Sequence, residues 1–111
     1  GDVSTWNVAN ATNLSNMFAG CRSFNGDNVI SWNVSNATNL SGIFCWCNVF
    51  NGDVSSWNVS NATDLNNMFR GCWSFNRDLS SWNVSSATDW SYMFEGCGSF
   101  NGDVSSWDIS N

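Results

Sequence analysis

The chain has no His, no Lys and no Pro, and only one Glu (Glu95) and one Tyr (Tyr92). Without His or Lys, most general-base, Schiff-base and imidazole-metal chemistry has no residue to use. Three Arg stand against nine acids, a formal charge of -6 that repels phosphate backbones and anionic lipid. No run of 18 apolar residues occurs, so no segment reads as a membrane-spanning helix. Asn and Ser fill 38 of the 111 positions, while eight Trp and eight Phe supply most of the bulk. Disordered chains lack aromatics, so this one folds, and its length suffices for one domain around one core.

One phrase is said four times and begun a fifth. The copies run 1–25, 26–51, 52–76 and 77–101, and 102–111 starts another; the second carries one extra residue near Asn28. The columns are Trp6, Trp32, Trp57, Trp82 and Trp107; Phe18, Phe44, Phe69 and Phe94; Phe24, Phe50, Phe75 and Phe100; Cys21, Cys47, Cys72 and Cys97. A period of this size signals a stacked repeat architecture.

Within the third copy, Ser56-Trp57-Asn58-Val59-Ser60 alternates polar and apolar, the period-2 pattern of a half-buried strand. Thr63 then stands where a helix N-cap belongs, with Asp64 beside the macrodipole. Leu65, Met68, Phe69 and Cys72 follow at i, i+3, i+4 and i+7, one face of a short α or 3₁₀ helix, and Gly71 suits its left-handed end. Phe75 returns to the core, and Asn51-Gly52-Asp53 makes the turn into the strand. Counting Val54, Trp57, Val59, Ala62, Leu65, Met68, Phe69, Cys72 and Phe75, each coil buries about nine side chains. One such coil has no opposite wall, so coil must stack on coil. The expected fold is an α/β repeat solenoid, leucine-rich-repeat-like, with one short parallel strand and one short helix or 3₁₀ turn per 25-residue coil.

The phrase GDVSSWNVSNATDLNNMFRGCWSFN resembles the repeat of BspA-like leucine-rich-repeat surface proteins across the whole chain. Trp, Met-Phe, Gly-Cys and Phe-Asn all fall in that register; Trp46 in place of the Gly, after Cys45, departs from it, and within the chain's own columns Trp90 replaces Leu and Ile43 replaces Met. The resemblance implies an extracellular or cell-surface repeat protein linked to adhesion, with no catalytic activity and no cofactor. The sequence opens and closes inside the phrase, with no atypical capping repeat. Two expectations follow: a segment of a longer array, or one unit of a head-to-tail filament whose coil edges recruit another copy.

The Cys21/Cys47/Cys72/Cys97 column reads as small hydrophobes on the core face, with pairing between neighbouring coils as the alternative. Cys45 has Ala19 and Arg70 as column neighbours and looks outward, a free thiol or an intermolecular crosslink. Trp46 and Trp73, beside Cys45 and Arg70, are the expected lateral contact patch, since exposed Trp with Arg marks contacts more often than solvent faces.

Asp2, Asp27, Asp53, Asp78 and Asp103 form a column of like charges. It is the one arrangement that suggests calcium, but the Gly-rich nonapeptide of calcium-binding repeats is missing and turn Asp residues usually bond their own backbone. No cofactor is expected. Asn-x-Ser/Thr sequons at Asn10, Asn13, Asn33, Asn36, Asn39, Asn58, Asn61 and Asn83 are candidates for N-linked glycans. The outward polar row, Ser56, Asn58 and Ser60 with its counterparts in other copies, is the expected ligand face or a solvated, glycosylated one. The leading expectation is a structural, extracellular, glycosylated protein that associates end to end into a fibre or long surface array. The other is an adhesion module for an extracellular protein or glycan, bound on the polar row; neither involves an enzyme or nucleic acid.

Overall fold

The computed structural model describes residues 7–102, 104 and 107; Trp6, Asp2, Asp103 and most of the fifth copy lie outside them. The backbone is built almost wholly from β-turns. In the third copy, i to i+3 hydrogen bonds close Val54–Trp57, Val59–Ala62, Leu65–Met68, Phe69–Cys72 and Cys72–Phe75. Each of these apolar residues is the first or the fourth of its turn, so both ends of every turn point inward and the two central residues form its outer tip. All nine are at most 4% exposed.

This corrects the expected α/β solenoid. Among the described residues no α-helix forms, and the only helical element is the 3₁₀ turn Val29–Ser31. Among the described residues parallel pairing is confined to isolated bridges joining Asn13, Asn39, Asp64 and Asp89 in succession, so Ser56–Ser60 is not a strand. The reason lies in where alternate amides point. The N–H groups of Leu65, Asn67, Phe69 and Gly71 donate to Asp89, Ser91, Met93 and Glu95 of the next coil, at 2.8–3.0 Å. Those of Met68, Arg70 and Cys72 turn back to Leu65, Asn67 and Phe69, three residues earlier. A helix would send them all to i−4. Two tandem turns place core residues at spacings of three, one and three, which is also the helical spacing. The helix pattern was a double turn.

Positive φ at the third residue of both tandem turns matches a type II arrangement. Asn67 has φ 57° and Gly71 φ 75°; Asn16, Gly42 and Tyr92 share the first column, and Gly20, Trp46 and Gly96 the second. Asn and Gly are the residues that tolerate this region. Gly71, expected at a helix end, is therefore a turn residue, and Thr63 is not an N-cap. Thr63 donates both its N–H (2.8 Å) and its Oγ1 (3.2 Å) to the carbonyl of Thr38 in the coil before, and Thr38 and Thr88 do the same to Thr12 and Thr63. The extra residue of the second copy is absorbed locally, because Asn28 at φ 73° starts the 3₁₀ turn.

Stacking then brings like onto like. Phe18, Phe44, Phe69 and Phe94 follow one another at 5.9, 5.8 and 5.7 Å between ring centroids. Phe24, Phe50, Phe75 and Phe100 do so at 5.9, 5.8 and 5.8 Å. The two rows pack on each other, with Phe44 on Phe50 at 4.0 Å. Trp32 lies parallel to Trp57 within 1°, and Trp82 to Trp107 within 2°. Offset stacking of this kind satisfies the ring quadrupoles while filling the core. Trp90, in the Leu column, leans on Trp107 at 5.7 Å.

Candidate functional site

The turn tips of successive coils line up on one side of the stack. Where the repeat departs from its consensus there, bulky side chains gather: Trp46 in the second coil, Arg70 and Trp73 in the third, Tyr92 and Glu95 in the fourth. The Arg70 guanidinium lies 5.6 Å from the Trp46 ring and 4.9 Å from the Tyr92 ring, a cation held against two π faces. Its Nη2 meets Glu95 Oε1 at 3.3 Å. Trp46 covers Gly71, leaving no room there for a Cβ, and the indole nitrogen of Trp73 stands 3.7 Å from where a Cβ on Gly96 would be. Trp46, Trp73 and Tyr92 remain exposed, at 47%, 56% and 60%.

The sequence had singled out Cys45, Trp46, Arg70 and Trp73, and the structure brings the last three together around Gly71. Cys45 is half-buried; burial pushes its thiol up and the Arg70 guanidinium beside it pulls it back. Tyr92 and Glu95 were missed. Both were legible in principle: Tyr92 breaks an Asn/Gly column, and Glu95 stands one repeat after Arg70, so opposite charges stack.

The column cysteines are free thiols, and three of them tie coil to coil. Cys47, Cys72 and Cys97 each donate Sγ–H to a carbonyl of the preceding coil, those of Phe18, Phe44 and Phe69, at 2.9 Å. Burial pushes Cys47 up to about 12 and Cys97 up to about 11, and raises Cys72 likewise. Cys21, in the first coil, is exposed.

The Asp column is occupied by its own turns. Asp53 accepts from the Ser55 amide and hydroxyl at 3.1 and 2.7 Å, Asp78 from the Ser80 amide at 2.9 Å, and Asp27 from Asn25 Nδ2 at 3.2 Å. Those Ser55 bonds hold the Asp53 carboxyl below its usual range. Among the described residues no group of three or more His, Cys, Asp or Glu is placed to hold a metal ion.

The sequon asparagines divide by the atom they use. Asn13, Asn33, Asn39, Asn58 and Asn83 accept the amide of the Ser two residues on through Oδ1, at 2.9–3.1 Å. Asn36 and Asn61 instead donate Nδ2 to the carbonyls of Ala9 and Ser35 at 2.8 Å, tying coil to coil. Asn10 is exposed. In the polar row Ser56 and Asn58 are exposed and Ser60 is half-buried, all at turn tips or between turns rather than on a strand.

No curated protein and no solved structure matches the chain. A family model described as "Mycoplasma protein of unknown function, DUF285" matches residues 1–49 and again 26–111. The two matches overlap by one coil, as a repeat shifted by its own period should, and together they span the chain. The chain belongs to the DUF285 family.

Proposed function

We propose that the chain is a structural module, a stack of turn-built coils that joins end to end into a fibre or a long array on the outside of the cell. The observation that carries this reading is the sameness of the junctions. From coil to coil the same bonds recur: the turn amides to the next coil's carbonyls, Thr to Thr, indole to carbonyl, thiol to carbonyl. The two faces of a coil carry complementary donors and acceptors, and the aromatic ladders repeat with the same spacing. A further coil therefore fits whether it belongs to the same chain or to another copy, and such a heterologous contact gives open fibres rather than closed rings.

Display outside the cell is supported by the likeness of the phrase to BspA-like surface repeats. Glycans would sit on Asn33, Asn58 and Asn83, which are exposed and use Oδ1 for their turns. The test is electron microscopy and sedimentation of the purified chain over about a hundred-fold range of concentration. Particles should lengthen along the stacking axis as concentration rises. A constant mass equal to one chain rejects the proposal.

A further inference from the structure

We propose that the turn-tip patch of Trp46, Arg70, Trp73, Tyr92 and Glu95 is a lateral docking surface for a second copy of this chain, related by a two-fold axis. This contact is separate from end-to-end stacking, because it uses the side of the coils and none of the ladder groups. Trp, Tyr and Arg are the residue types that anchor protein interfaces, and here Trp46 and Tyr92 meet on Arg70 while Trp73 lies exposed beside Gly96, across three coils.

Charge identifies the occupant. The chain carries -6 with only Arg22, Arg70 and Arg77 as cations, so two copies repel over most of their surfaces. At this patch one cation and one anion stand side by side and cancel. The Arg70–Glu95 pair within the chain is a single 3.3 Å contact between side chains that are 33% and 50% exposed, a weak and exchangeable arrangement. In an isologous contact each copy presents the same patch, and Arg70 of each then faces Glu95 of the other. The patch is its own electrostatic complement.

Native mass spectrometry of Arg70→Glu and Glu95→Arg, alone and mixed, tests this. At concentrations below those at which sedimentation shows end-to-end growth, the unmodified chain should give dimers. Each variant alone should lose them, since like charges then oppose across the axis. The equimolar mixture should recover dimers that are all heterodimers. In them the carboxylate introduced at position 70 of one variant meets the guanidinium introduced at position 95 of the other. The retained Glu95 of the first likewise meets the retained Arg70 of the second. Recovery on mixing also shows that both variants are folded. Homodimers of either variant, a statistical mixture of homo- and heterodimers, or an unmodified chain that stays monomeric would each overturn the proposal. End-to-end stacking gives the statistical mixture, so the two contacts are told apart.

Discussion

The indole N–H of Trp82 donates to the carbonyl oxygen of Val54, one coil earlier, at 2.9 Å. Trp57 makes the same bond to Val29, and Trp107 to Leu79. Each of these carbonyls already accepts from the Trp amide of its own turn, so the indole uses the second lone pair, and each ring is fixed in its ladder by a directed bond as well as by packing.

Trp82→Phe keeps an aromatic ring and removes the donor and part of the volume. The loss of a buried hydrogen bond together with a small cavity should cost about 2–4 kcal/mol. Urea unfolding should show a lower midpoint with an unchanged slope; an unaltered midpoint would mean that the bond contributes nothing.

Gly20 and Gly71 occupy the same column, with φ 76° and 75°, but differ in what surrounds them. An added Cβ on Gly20 meets nothing within 4 Å, whereas on Gly71 it strikes the Trp46 ring. Gly20→Ala should therefore cost about 1–2 kcal/mol, the backbone penalty alone. Gly71→Ala should cost more, and the excess should vanish in a Trp46→Ala background. A double-mutant cycle by thermal or chemical unfolding measures that coupling.

Hydrogen bonds from Ser55 lower the Asp53 carboxyl, and those from Asn66 and Ser91 lower Asp89, both below 3.8. The unfolded chain thus takes up these protons first as pH falls. The stability they contribute is complete above about pH 4 and drains away below it. Asp53→Asn keeps an Oδ1 acceptor for the turn but cannot titrate, so its stability should fall less steeply between about pH 4 and pH 2 in a denaturation series.

Thiol reagents at about pH 8 should modify Cys21 quickly and Cys45 slowly, and should leave Cys47, Cys72 and Cys97 untouched until the chain unfolds. Mass spectrometry of the labelled peptides reads this directly. Because burial raises Cys47 to about 12 and Cys97 to about 11 from 9.0, stability should be full below about pH 9 and decline as pH rises through that interval.

The inward set of the third coil was legible in the sequence. All nine positions from Val54 to Phe75 are buried, and the Trp and Phe columns do stack as ladders. The backbone that carries them was not legible. Alternation around Trp57 and Val59 fits a strand, but it also fits the fourth residue of one turn close to the first of another. Leu65, Met68, Phe69 and Cys72 fit a helix as well as they fit two tandem turns. The deciding signal was the Asn/Gly column at Asn16, Gly42 and Asn67, since a positive φ in mid-run has no place in a helix. In the patch, the Trp residues and Arg70 could be found as departures from the phrase. The role of Tyr92 depended on its backbone, with φ 59°, and on its ring lying 4.9 Å from the Arg70 guanidinium, which spacing alone does not reveal.

The 3₁₀ turn at Val29–Ser31 shows what a cross-section made of corners permits. One added residue lengthens a single corner there, yet Trp32 still lies flat on Trp57 and Val29 stays fully buried. Length changes are thus taken up locally around the perimeter instead of being transmitted along an element. A lineage of such proteins can widen or ornament individual rungs, one residue at a time, without breaking the column that keeps them in line.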